Sequence, residues 1–252
     1  MLVATHGATD IPADDFYRPI QVGRALAEQD LGFQGDDTGD SISEKNPSYC
    51  ELTALYWAWR NLDADVVGLS HYRRYFTGTR SGPNGRHILS AEEARSLMSD
   101  HDVVVARPRN YYIETVASHY AHAHVAQDLT AVRRGISDAS PQLIDAFDAT
   151  MARRSLSLYN MFLMRHDYLD AYASWLFDVL EVAEASIDLD DRTAFQQRAF
   201  GFLGERLLNV WLWHHRHDLR IATRPVVNTY GESLPKKAVG LVRRRLARGP
   251  VS

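Results

Sequence analysis

The stretch VVGLSHYRRYF, residues 66–76, begins as an apolar strand and ends in cations set among aromatic rings. Successive strand residues point to opposite faces. A strand running through Phe76 therefore puts His71, Arg73 and Tyr75 on one side and Tyr72, Arg74 and Phe76 on the other. Each face then carries an arginine. Aromatic residues on both sides predict at least partial burial, where a guanidinium requires an anionic partner or a full set of hydrogen bonds. That partner is either a protein carboxylate, with Glu51 and Glu205 as candidates, or a ligand phosphate.

Outward from this stretch, strand and helix signals alternate. Residues 2–5 (LVAT) are a short apolar run that meets His6 and Gly7, a first strand ending in a loop. The polar run GDDTGDSISEKN, residues 35–46, is a loop by composition. Asn46 and Pro47 then suit the cap and first position of a helix over 47–61. Its apolar stripe is Leu52, Leu55, Tyr56 and Trp59, and Glu51 beside it is a semi-buried carboxylate. After 66–76 come a glycine-rich turn at 78–85, a polar helix over 90–100 and the strand 103–106, which ends in Arg107, Pro108, Arg109 and Asn110. Helices are expected over 114–136 and 141–153, a buried strand over 158–164, amphipathic helices over 168–184 and 199–214, and short strands over 220–223 and 225–228. Strands interleaved with helices predict an α/β fold with a mostly parallel sheet, and cations at strand carboxyl ends fall on the usual ligand edge of such folds.

Composition narrows the function. The chain has 252 residues, the length of one large or two small domains, and 45% of them are hydrophobic, enough for a real core. A formal charge of -4 removes any whole-chain case for nucleic-acid binding. Cys50 is the single cysteine, so no disulfide framework or cysteine-rich metal site is expected, and a reducing cytoplasm is the natural compartment. No stretch approaches ~18 uninterrupted apolar residues, and the N-terminus lacks a signal-peptide layout.

Five ordered motifs carry a resemblance: GDDTGDSISEKNPSYCELTALYWAWRN (35–61), VVGLSHYRRYF (66–76), DVVVARPRNYYIETVASHYAHAH (102–124), LYNMFLMRHDYLDAYASWLFDVL (158–180) and RAFGFLGERLLNVWL (198–212). Together they resemble a bacterial exopolysaccharide and capsular polysaccharide biosynthesis family long described only as a domain of unknown function. The resemblance implies a glycosyltransferase of the GT-A type. Its fold would be a Rossmann-like α/β/α sandwich with a mostly parallel central sheet and a helical C-terminal part. It would move a hexosyl unit from a nucleotide-diphosphate sugar to a lipid-linked saccharide. Some relatives are associated with galactofuranose transfer, while the residues here leave the sugar open.

Such a reaction needs positive charge on the departing diphosphate and a base for the acceptor hydroxyl. Most GT-A enzymes hold Mg or Mn through an Asp-x-Asp motif that follows a strand. Asp63-Ala64-Asp65 precedes one and reads as a helix-to-strand turn, so no metal ligands are assigned and a divalent metal stays an open option. Arginine forks suit diphosphate oxygens, which assigns His71, Arg73, Arg74 and Arg109 to the donor diphosphate, with Arg107 as a helper. Thr5 and His6, at the end of the first strand, are assigned to the nucleotide pocket. Asp36, Asp37 and Asp40 either accept sugar or ribose hydroxyls or belong to a loop that merely precedes the helix. Asn160, polar within an apolar run, is a sugar-hydroxyl candidate. Glu205, among Phe202, Leu203, Leu207 and Leu208, is the catalytic base candidate. Of the histidines 119, 122 and 124, two share a helix face, and an acceptor-facing patch with Tyr111, Tyr112 and Tyr120 fits better than zinc.

The chain divides into a single domain over 1–232 and a basic amphipathic tail over 233–252. Lys236, Lys237, Arg243, Arg244, Arg245 and Arg248 alternate there with apolar residues, as in a segment that meets the anionic inner face of the plasma membrane. The alternatives to a membrane-associated glycosyltransferase are a non-catalytic sugar-nucleotide or glycan-binding subunit of the same assembly machinery, and a metal-dependent hydrolase built on the histidines.

Overall fold

The computed structural model describes residues 1–7 and 10–231, and the basic tail lies outside the described residues. Leu2–Thr5 form β1, and all four side chains are buried, as a continuous apolar run requires of a strand covered on both faces. The same sheet contains β2 (Arg18–Gln21), β3 (Gln34–Gly35), β4 (Val66–His71), β5 (Arg74–Phe76), β6 (Val103–Ala106), β7 (Phe162–Arg165), β8 (Ile221–Arg224) and β9 (Val226–Asn228). Across the sheet the order is β8-β6-β7-β4-β1-β2-β3, with β5 paired to β4 and β9 to β5. Neighbours along this path are parallel except at β7, which runs against both β4 and β6, placing Phe162 opposite Leu69 and Val105. The sheet is thus mostly parallel, as expected.

Alternation along β6 sorts the two layers. Val103 and Val105 join the larger core with α1 (Leu52–Asn61), α3 (Val116–Ala123), α4 (Gln127–Ala139), α5 (Ile144–Ala152), α6 (His166–Glu184) and α7 (Ala199–His214). Val104 and Ala106 face the smaller core, where Ala94 and Met98 of α2 (Ala91–Asp100) meet Phe76 and Leu89. The second layer is therefore thin, one helix and a few hairpins, against six helices on the other side.

Three local expectations are corrected. The strand does not run through Phe76: it turns at Tyr72 and Arg73, and β5 returns antiparallel with Arg74 opposite His71. The helix over 47–61 is broken, because a short turn Asn46–Tyr49 ends at Cys50, whose φ of 54° is outside the helical region, and α1 begins only at Leu52. The strand over 158–164 starts at Phe162, since Tyr159 and Asn160 adopt φ of 77° and 50° and form a turn ahead of it.

The strand directions gather several loops at one edge. The carboxyl ends of β1, β4 and β6 lead to His6, to the Tyr72–Arg73 turn and to Arg107–Arg109. Because β7 is antiparallel, its amino end brings the Tyr159–Asn160 turn to that same edge.

Candidate active site

This edge opens into a cleft of about 970 Å³, lined by five arginines (Arg73, Arg74, Arg109, Arg198 and Arg206) and three glutamates (Glu51, Glu114 and Glu205). His6 and His71 also line it. Of the residues singled out from sequence, Glu205, His71, Arg73, Arg74, Arg109 and His6 thus meet in one place.

The arginines of the turn answer the question raised by their sequence. Arg73 lies over the Tyr72 ring at 5.6 Å and Arg74 over the Tyr159 ring at 4.4 Å. Neither forms an ion pair among the described residues, and the Arg74 Nε is closed off from solvent with no hydrogen-bond partner there. The candidate carboxylates are engaged elsewhere. Glu205 accepts the Tyr159 N–H at Oε1 and the Arg206 Nη1 at Oε2, both at 2.8 Å. Glu51 accepts the Asn160 Nδ2 at 2.8 Å and lies 3.9 Å from the His71 Nε2. Neither guanidinium is held in an ion pair, although Arg74 acts across the cleft on Glu205, and five arginines against three glutamates leave the cleft a cationic surplus suited to an anion.

His71 differs from the expectation that it supplies charge. Its Nε2–H donates to the Tyr159 carbonyl at 2.6 Å, which fixes the tautomer. Burial lowers its pKa, against the opposing pull of Glu51 and that carbonyl, so the ring is neutral at neutral pH. His6 is likewise lowered by burial, with Arg198 and Arg73 adding to the effect, and meets Tyr72 edge-on at 5.4 Å.

A single turn orders the site. The Tyr159 N–H holds Glu205, its carbonyl holds His71, its ring lies under Arg74, and the next residue, Asn160, holds Glu51. Two consecutive non-glycine residues at positive φ store strain of about 1–3 kcal/mol each, which persists only where surrounding contacts enforce it. Asn160 is 1% exposed, and its Nδ2 also donates to the Gly201 carbonyl at 3.1 Å, so its amide is internal and does not line the cleft.

The glycines of FGFLGE let α7 approach this region. A Cβ at Gly201 would stand 3.0 Å from the Cys50 Sγ, and one at Gly204 would stand 2.8 Å from Leu52 Cδ1 and 3.3 Å from Asn160 Oδ1. Without side chains there, α7 presses against residues 50–52 and brings Glu205 and Glu51 to the same floor. Burial raises the Glu205 pKa, with Arg206 opposing and Glu51 adding.

The assignments of Thr5, Asp36, Asp37, Asp40, Arg107 and Tyr120 are corrected by placement. Thr5 does not line the cleft, and its hydroxyl donates to the Gly7 carbonyl at 2.8 Å, shaping the loop after β1. Asp36 is fully buried away from it, and its carboxylate accepts the N–H groups of Gly23 (2.9 Å) and Arg24 (3.1 Å) and the hydroxyls of Ser43 and Thr53. Asp40 pairs with Arg60 at 2.7 Å, and exposed Asp37 lies outside the cleft as well. Asp63 and Asp65 stand at the amino end of β4, the edge opposite the cleft. Arg107 does not line the cleft either. Among the histidines, His122 Nδ1 meets Glu114 Oε1 at 2.6 Å while His119 stacks on Tyr111 at 4.0 Å. Among the described residues no group of three or more His, Cys, Asp or Glu is placed to hold a metal ion. Tyr120 is buried and donates to Asp128 at 3.2 Å, so it does not join an acceptor patch.

Arg198 was missed by sequence reading. Its Nε donates to the Cys50 Sγ at 3.1 Å, and burial pushes that thiol up to about 11. The available signal was helical spacing: Arg198, Phe202 and Glu205 recur at i, i+4 and i+7, one face of α7 extended back to the residue that caps it.

The model of a family described as "Domain of unknown function (DUF4422)" matches residues 1–217. A solved structure described as the apo form of the bifunctional glycosyltransferase WbbM is similar with a TM-score of 0.81 and 26% sequence identity over 92% of this chain. The chain spans 45% of the length of that protein. No curated protein matches the chain.

Proposed function

The chain belongs to the DUF4422 family, and from that premise we propose that it is a glycosyltransferase moving a hexosyl unit from a nucleotide-diphosphate sugar to a saccharide acceptor. The fold is of the GT-A type, and the structural neighbour's description as a glycosyltransferase supports the reaction class. The observation that carries the reading is the surplus of guanidinium charge at the carboxyl edge of the sheet. Arg73 and Arg74 face the cleft from the turn after β4, with Arg109 and Arg198 on its walls.

In this reading the nucleotide lies along the ends of β1 and β4, against His6 and Tyr72. Arg73, Arg74 and Arg109 bind the diphosphate and stabilise the charge it gains as the sugar departs. Arg198 adds to that field from α7. Glu205 takes the proton of the attacking acceptor hydroxyl, its raised pKa placing it closer to working pH than an ordinary carboxylate. His71, uncharged, orients the Tyr159 turn and makes no ion pair with phosphate. The residues do not fit the divalent metal common among GT-A enzymes: none of the three Asp-x-Asp sequences, at 63–65, 100–102 and 188–190, lines the cleft, and two of the cleft's three carboxylates already accept hydrogen bonds from Asn160, the Tyr159 N–H and Arg206. The charge role is assigned to the arginines instead. The acceptor is a lipid-linked saccharide of exopolysaccharide, capsule or O-antigen assembly, the setting in which the tail's cations serve.

Calorimetric titration with a panel of nucleoside diphosphates and their sugar conjugates tests the reading. One nucleotide is expected to bind the wild type, and Arg74→Ala to weaken it about 10- to 100-fold, as loss of a charge-assisted contact implies. Glu205→Gln is expected to keep that affinity and lose sugar transfer. Nucleotide binding without transfer by the wild type would instead make the chain a binding subunit.

A further inference from the structure

The cleft has two chemically different walls. On the side of β1 and the β4–β5 turn the groups are cationic. On the side of α3 and the start of α7 aromatic rings dominate, with Arg198 over Phe202 at 5.7 Å where the two walls meet: His124 packs on Phe202 at 4.0 Å and on Phe195 at 5.7 Å, with Phe195 and Phe202 at 5.1 Å. Phe195 is 53% exposed, as are its cleft neighbour Ile113 at 59% and the adjoining Tyr112 at 76%. Large apolar groups left open around one end of a cleft mark a binding surface, since burying them elsewhere would stabilise the fold.

A second observation points to a ligand at the same wall. Tyr111 lines the cleft, is 6% exposed, and its hydroxyl is closed off from solvent with no hydrogen-bond partner among the described residues. Buried polar groups are nearly always satisfied, so this one calls for a partner that the protein does not supply. Burial raises the pKa of that hydroxyl, and the charges acting on it come from Arg206, Glu205, Arg109 and Tyr159, so it shares the cleft with the carboxylate assigned as base.

Resting on the glycosyltransferase reading, we propose that the wall formed by Phe195, Phe202, His124 and Tyr111 is the acceptor subsite and binds a sugar ring. A pyranose or furanose offers an apolar C–H face and a rim of hydroxyls, and this wall offers aromatic faces and a hydroxyl within one concave surface. An acyl chain would leave the Tyr111 hydroxyl unsatisfied. The ring stacks on Phe195 and Phe202, and one of its hydroxyls bonds to Tyr111 while the attacking hydroxyl faces Glu205.

Saturation-transfer NMR on the full chain, using methyl glycosides of galactose, glucose and mannose with the bound nucleoside diphosphate present, is the test. At least one glycoside is expected to receive saturation on its ring C–H protons. Phe195→Ala and Tyr111→Phe are each expected to weaken that glycoside about five- to tenfold while leaving diphosphate affinity by calorimetry unchanged. Phe195 is at the surface and the Tyr111 change removes one oxygen, so both variants keep the fold. Glycoside affinity untouched by both variants would overturn the subsite, and so would the absence of any glycoside signal. Diphosphate binding without glycoside binding would sink this inference alone. Failure of both ligands would sink the glycosyltransferase reading with it.

Discussion

Asn160 holds Glu51 through one hydrogen atom of its amide. Replacing that NH₂ with oxygen keeps the shape and reverses the interaction, since Asn160→Asp would set a carboxylate against both Glu51 and the Gly201 carbonyl. The added negative charge would further disfavour ionisation of Glu205. A base works when deprotonated, so transfer rises with pH through the Glu205 pKa, and the acid limb of the wild-type kcat/KM profile is expected above the ordinary carboxylate range. Asn160→Asp is expected to move that limb up by about one pH unit, measured with saturating donor. An unmoved limb would mean that Glu205 is not the titrating base. The sequence could not reveal this residue's role. Its polarity among apolar neighbours was visible and its burial follows, but the left-handed turn that aims it at Glu51 is enforced by tertiary contacts and has no glycine to announce it.

Among elements, α7 and residues 46–61 show what was legible and what was not. The period of α7 placed it within a residue of its observed bounds, and its glycines at 201 and 204 were in plain view. What could not be read was their use, because the break at Cys50 that receives them is set by packing across the molecule. Likewise, period-two alternation assumed a straight strand through Phe76, whereas the chain turns at Tyr72 and Arg73, and the turn is what aims both arginines into the cleft. Acidic residues near glycines resembled a ligand loop, yet Asp36 closes a local network of four donors. Gly201→Leu tests the close approach. It is expected to cost about 1–3 kcal/mol in urea denaturation, as overpacking does, and to reduce transfer further than stability loss alone by parting Glu51 from Glu205. Unchanged stability and unchanged transfer would remove the glycines from the account.

At the scale of the whole molecule, alternating strands and helices specified the α/β class, which follows from connectivity, and a cleft opens at the carboxyl edge of the sheet. No helix among the described residues is long and apolar enough to cross a membrane. The membrane contact proposed for a lipid-linked acceptor rests on the tail's sequence alone, where a cation near an anionic surface contributes about 1 kcal/mol. Deleting residues 235–252 is expected to abolish co-sedimentation with vesicles containing phosphatidylglycerol while leaving nucleoside diphosphate affinity intact, and equal sedimentation of both forms would discard that role.

The position of β7 governs when the site can come into being. It is third along the sheet path from β8 yet lies between strands that the chain completes at His71 and Ala106, and until it inserts, β4 and β6 present open edges to one another. The same insertion delivers Tyr159 and Asn160, the residues that hold both carboxylates. A chain stopped before Phe162 would therefore be at once unpaired at the middle of its sheet and without the turn that holds Glu51 and Glu205, so the closed sheet and the ordered cleft floor depend on the same strand.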